Sequence, residues 1–136
     1  MHVEAEISKA IDLDFVRIDY YEPDLVIYYY KPRIHLTWPM VQQIANEANE
    51  MTGYKKCFML SIIGEGLTIE KEVREFGTKP EIQAYTKASA IVQNSLAHRI
   101  LGNFIINVQR PSVPTKLFNT IEDSLIWFDK LRQQNF

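Results

Sequence analysis

At 136 residues the chain is the length of one domain, because two separate cores of half that size would each bury too little surface. With 46% hydrophobic and 24% charged residues and a net charge of −2, its composition is that of a folded globular protein and excludes a disordered or membrane-embedded one. The densest apolar run, Phe58-Met59-Leu60-Ser61-Ile62-Ile63, falls far short of the roughly 20 residues needed to span a bilayer, so no membrane insertion is expected.

The N-terminal Met1-His2-Val3-Glu4-Ala5-Glu6 carries acids where a signal peptide needs a basic start and an apolar stretch, which predicts a cytoplasmic location. Phe15-Val16-Arg17-Ile18-Asp19-Tyr20 alternates apolar and polar positions in the manner of a half-buried strand. Glu22-Pro23-Asp24 is a turn signal, and the β-branched and aromatic run Leu25 to Tyr30 reads as the partner strand of an N-terminal hairpin. A weaker edge strand lies near Ala10–Leu13. Thr37 then opens a helix with Pro39 in its first turn, and Met40, Val41, Ile44, Ala45, Ala48 and Met51 recur at helical spacing. Gly53 fits the left-handed residue that ends it.

Cys57 to Ile63 has the pattern of a strand buried on both faces. After the loop Gly64-Glu65-Gly66, Thr68 is positioned to cap a helix over 69–76, and a short helical segment is expected at Glu81–Tyr85. Ala88 to Val92 reads as a strand, and Asn94 or Ser95 caps a helix running to about Val108. Arg110-Pro111-Ser112-Val113-Pro114 stops it. Lys116-Leu117-Phe118 is a last short strand, and Thr120-Ile121-Glu122-Asp123 resembles a capping box opening a final helix that buries Leu125, Ile126, Phe128 and Leu131. Such alternation builds an α/β fold, with a mostly parallel sheet and helices packed over it, in a single domain over 1–136.

The charge distribution is uneven. Residues 82–121 contain no acid, against Lys87, Arg99, Arg110 and Lys116. Four bases over that length are too few for a nucleic-acid surface, but they suffice for one positive patch that meets an acidic partner.

The element order resembles that of the STAS fold, named for sulfate transporters and anti-sigma-factor antagonists. At sequence level the chain is similar to a small bacterial family related to it. The resemblance is carried by Ala88-Ser89-Ala90-Ile91-Val92, Ser95-Leu96-Ala97-His98-Arg99 and Asn103-Phe104. It continues through Arg110-Pro111, Pro114-Thr115-Lys116-Leu117-Phe118 and the helix Ile121 to Leu131 with Trp127. It implies a mixed, mostly parallel open sheet of about five strands with about four helices and an N-terminal hairpin. It also implies a protein-interaction or regulatory role. The antagonists carry a phosphorylatable serine in a D-S-[ST]-G-like motif where the central strand meets its helix. Here the corresponding loop is Gly64-Glu65-Gly66-Leu67-Thr68, which has no such motif and leaves Thr68 as the only hydroxyl for a switch.

Each candidate constellation has a structural explanation beside the functional one. Gly64-Glu65-Gly66 lies where open α/β sheets place ligands, but lacks the third glycine of a dinucleotide fingerprint and the Lys-Ser/Thr ending of a P-loop. Glu65, Glu70, Glu72 and Glu75 with Arg74 could pair carboxylates for acid–base work or a Mg²⁺ ion, but Glu70, Lys71, Glu72, Arg74 and Glu75 alternate sign like a solvated helix face. Ser95 and His98 stand three apart at a helix start, yet no nearby acid can orient the imidazole for catalysis. The lone Cys57 reads as a buried hydrophobe, and His2, His35 and His98 show no paired metal-ligand spacing. No cofactor is expected.

Two surfaces remain. On a helical wheel Leu96, Ala97, Ile100, Leu101, Phe104 and Val108 gather as the core face of the helix after Ser95. That leaves Ser95, Arg99, Gly102, Asn103 and Ile106 as an interaction surface for a protein partner or a second copy in a homodimer. Tyr20, Tyr21, Tyr28, Tyr29 and Tyr30 cluster on the hairpin, where alternation sends some of them away from the core. The expected function is a non-catalytic interaction or regulatory module. The alternative is a small-molecule or lipid-binding domain with its pocket between sheet and helices, since the lipid-binding CRAL-TRIO domains have a related sheet.

Overall fold

The structure, a computed structural model, describes residues 6–134. The acidic start and His2 therefore lie outside the described residues, apart from Glu6. Strands β1 (Lys9–Asp12), β2 (Val16–Tyr21) and β3 (Leu25–Tyr30) form an antiparallel meander, with Ile18 opposite Tyr28 and Ile11 opposite Ile18. β4 (His35–Leu36) follows, then α1 (Trp38–Thr52) and β5 (Cys57–Ile62). β6 (Thr68–Ile69), α2 (Lys71–Phe76) and β7 (Thr86–Val92) come next. α3 (Leu96–Phe104) runs into a π-helical turn at Ile105–Gln109, ahead of β8 (Thr115–Phe118) and α4 (Ile121–Gln133).

The main sheet has six strands in the order β1-β2-β3-β5-β7-β8, parallel from β3 onward. Its sixth strand is β1. Most of its residues are exposed, so this edge strand offers little of the alternation by which strands are read.

Local signals place α1 well. Pro39 sits in the first turn and Gly53 ends the helix at φ 66°, where a side chain would be strained. Three expectations fail locally. Thr68 does not cap a helix. Its backbone N–H donates to the Ile34 carbonyl at 2.9 Å, pairing β6 with β4 in a small parallel ribbon, and α2 begins three residues later after Glu70. Residues 81–85 form turns closed by the Lys79 carbonyl rather than a helical segment. Ile126 is 50% exposed, so α4 buries Ser124, Leu125, Phe128 and Leu131 without it.

Alternation along each strand sends residues to two separate cores. On one face α4 covers Leu25, Ile27, Phe58, Leu60, Ala88 and Ala90, with the Phe58 and Phe128 rings 4.9 Å apart. On the other, α1 and α2 cover Val16, Ile18, Val26, Tyr28 and Met59. α3 packs on that second face toward β8, where Gly102 meets Leu117. The tyrosines are explained by this double coverage. β2 and β3 are interior strands, so Tyr21 points into one core while Tyr20 and Tyr28 point into the other. All three are buried and none of the five is fully exposed, so the hairpin tyrosines serve mainly as core.

A buried ion cluster ties α4 to the start of the sheet. The Asp24 carboxylate accepts from Arg132 Nε at 3.0 Å and from a terminal guanidinium nitrogen at 2.9 Å, with Lys87 Nζ at 3.7 Å. The Arg132 and Lys87 cations also lie over the Phe58 ring, at 4.7 and 5.3 Å from its centroid.

Candidate functional site

The loop after β5 is set by backbone crowding. A Cβ at Gly64 would stand 2.5 Å from the carbonyl oxygens of Tyr30 and Lys31, so only glycine fits, and Gly66 takes φ 74°. The Glu65 carbonyl accepts from the Arg33 N–H at 2.7 Å. Gly64, Glu65 and Gly66 thus form a tight turn locked against residues 30–33. Thr68 Oγ1 is held 2.8 Å from His35 Nδ1, so the hydroxyl considered for a switch already has a partner.

The same loop anchors α3. Ser95 caps this helix, its Oγ accepting the His98 backbone N–H at 3.1 Å, while Gln93 Oε1 accepts the Ser95 N–H at 3.1 Å. His98 Nε2 lies 2.8 Å from the Leu67 carbonyl, an acceptor only, which fixes the proton on Nε2. His98 is therefore half-buried rather than a surface histidine, and its ring is turned away from serving Ser95. Serine and imidazole come together here as cap and anchor, not as nucleophile and base.

The facing of α3 differs from the wheel. Gly102 is buried, and a Cβ there would come 2.7 Å from Leu117 Cδ2, so the small residue sets how closely the helix lies on β8. Leu101 and Ile105 turn inward with it. Outward, and spaced by four, stand Leu96 at 68% exposure, Ile100 at 61%, Phe104 at 40% and Val108 at 58%. At about 100° per residue the docked face is turned by roughly a third of a turn from the expected one. Of the anticipated interaction surface, Ser95, Arg99 and Asn103 are exposed, Ile106 is half-buried, and Gly102 belongs to the packed side. The apolar stripe read as core is the exposed face. Arg74 of α2 flanks it, its guanidinium 6.0 Å from the Phe104 ring centroid.

Between the sheet, α1, α2 and the π turn lies a cleft of about 220 Å³ that neither composition nor spacing signalled. Its floor is the sheet face of β3, β5, β7 and β8, with Tyr30, Ser61, Ser89 and Ile91. Val41 of α1, Val73 of α2 and Ile105 of the π turn wall it.

Other reactive groups are occupied or inert. Cys57 has no exposed surface, and burial pushes its thiol up to about 11, away from thiolate chemistry. Glu70 Oε1 accepts the Trp38 N–H at 3.1 Å, and Lys71 and Glu75 pair across one helical turn. Among the described residues no three His, Cys, Asp or Glu side chains gather as a metal site, and no helix is long and apolar enough to cross a membrane.

The domain-of-unknown-function family DUF7793 matches residues 20–132. The chain belongs to that family. No curated protein matches this DUF7793 chain. Among solved structures it is similar to an uncharacterized protein of the DUF3478 family from Shewanella loihica PV-4, which has a SpoIIAA-like fold. The TM-score is 0.58 at 16% identity, over 88% of this chain and 98% of that one. At that identity the likeness speaks for the fold alone. The DUF7793 chain has a STAS-like α/β fold, with six strands in its main sheet rather than about five.

Proposed function

We propose that this chain is a cytoplasmic, non-catalytic protein-interaction module of regulatory type, working as one domain over residues 1–136. The observation that carries the reading is the outward stripe of Leu96, Ile100 and Phe104 on α3 with Val108 of the π turn. Four large apolar side chains in line on one helix, beside Arg74 and Arg99, form a surface suited to a partner's apolar ridge with carboxylates at its rim. Residues 82–121 contain no acid to oppose such a partner. A second copy would bring the same cations to the contact, which favours a different protein over a homodimer. The non-catalytic part is supported by Ser95, His98 and Cys57, each held in a structural role.

Capture from cells that naturally express the chain tests this. The wild-type chain and an Ile126→Glu control should retain the same partner, and Ile100→Glu or Phe104→Glu should lose it while still folded. Equal retention by all four would overturn the reading. Sedimentation velocity checks the homodimer separately, with a monomer expected at micromolar concentration.

A second reading, small-molecule binding between sheet and helices, is supported by the cleft of about 220 Å³. Native mass spectrometry should then find a co-purifying adduct that disappears on denaturation.

A further inference from the structure

We infer that the cleft between the sheet, the helices α1 and α2 and the π turn is a binding site for a small uncharged molecule, largely apolar and carrying one hydrogen-bonding group. This rests on the second reading above and names the class of ligand.

Three observations lead there. First, among the described residues no charged side chain lines the cleft. An ion entering it would lose hydration without gaining a counter-charge, a cost of several kcal/mol at least, so charged ligands are selected against.

Second, the floor is polar at two places where the fold has no use for it. Ser61 of β5 and Ser89 of β7 sit on adjacent strands, in register opposite Ile91 and Met59 respectively, on the inward face that Tyr28 and Met59 fill elsewhere. Neither hydroxyl has a hydrogen-bond partner among the described residues. Neither is a sealed, unsatisfied group, so both hydroxyls stand open to the cleft and are available to a polar group that arrives from outside. Gln83 adds a side-chain amide at the rim. Its Oε1 is taken by the Ser112 hydroxyl at 2.6 Å, which leaves the NH₂ as a donor.

Third, the volume sets the size. An apolar cavity of about 150 Å³ accommodates benzene. At about 220 Å³ this cleft suits a one- or two-ring molecule, or an aliphatic alcohol or amide of similar bulk. A recess of about 130 Å³ that shares Tyr30, Ser61 and Ser89 lets such a molecule extend beneath α1.

Indole is a neutral probe of this size with one N–H donor, and indole-2-carboxylate is its anionic counterpart. Each is titrated into the full-length ¹⁵N-labelled chain and followed by amide chemical shifts. Indole should give saturable shifts centred on Ser61, Ser89, Ile91 and Ile105. The carboxylate should bind at least tenfold more weakly. Ser89→Phe, which fills the floor, should abolish the indole shifts while the rest of the spectrum stays folded, and Ser61→Met is the second filling variant. Absence of saturable shifts for either probe up to the solubility limit would overturn the site and the ligand reading with it. Equal or tighter binding of the carboxylate would overturn the ligand class while leaving the site. Indole shifts confined to the outer face of α3, or unchanged in a folded filling variant, would also overturn the site.

Discussion

Ile100→Asp separates the two possible facings of α3. Burying an isoleucine completely is worth about 1.5–3 kcal/mol, and 61% of Ile100 is already in water. The covered remainder is therefore worth about 1 kcal/mol at most, and the new carboxylate stays solvated. Leu101 is the contrasting neighbour. It is half-buried and lines a narrow recess with Ile63, Leu67, Ile69, His98 and Ile105, where a carboxylate loses much of its hydration. Leu101→Asp should lose the apolar contact and also carry the desolvation cost, a total of at least about 3 kcal/mol. Urea unfolding followed by far-ultraviolet circular dichroism measures both. The expected result is a small shift in midpoint for Ile100→Asp and a large one for Leu101→Asp, with unchanged slopes. Had the most apolar face of α3 been docked, Ile100→Asp would bury a charge and cost as much as Leu101→Asp. Equal losses of more than about 2 kcal/mol would therefore refute the facing described here.

Further outcomes follow from the rest of the structure. Arg132→Met leaves the Asp24 carboxylate, among the described residues, with only the more distant Lys87, and should lower unfolding free energy by about 2–3 kcal/mol, less than for a fully buried pair because Arg132 is partly exposed. Gly64→Ala places a Cβ 2.5 Å from two backbone oxygens that cannot swing aside, and should cost about 2 kcal/mol or more in thermal or urea unfolding. The Cys57 thiol is raised to about 11 from 9 by burial, and Tyr29 to about 12 from 10 by the same cause. Both groups are neutral when protonated, so their contribution is fully present below about pH 9 and is lost as pH rises toward 11–12. Melting temperature should fall across that window, less steeply in Cys57→Ala. At pH 8 the Cys57 thiol should resist a thiol reagent until denaturant is added.

Much of the fold was legible because its signals are local. Thr37, Pro39 and Gly53 bracket α1 within one stretch of chain, and Cys57 to Ile63 reads as a doubly buried strand from its own residues. The failures share a different cause, which is that the deciding partner lies far away. Thr68 looks like a cap until β4 supplies an edge for it to pair with. Asp24 finds Arg132 across 108 positions of sequence. On α3 the wheel offers two apolar faces, Leu96-Ile100-Phe104-Val108 and Leu101-Ile105, and periodicity favours the richer one. Gly102 against Leu117 decides for the other, because the smallest residue permits the closest approach to β8. The cleft is a gap between elements, and no single stretch of sequence can encode it visibly. Ser61 and Ser89, set among the apolar residues of β5 and β7, were its one trace.

Photo-crosslinking from α3 in living cells tests the central claim most directly. A photoreactive residue placed at position 100 or 104, on the outward stripe, should give a discrete adduct with one protein, competed by excess wild-type chain but not by Ile100→Glu chain. The same residue at position 126, on exposed α4, should not give that adduct. An identical adduct from position 126, or none from 100 and 104 in a folded chain, would contradict a docking role for the α3 face.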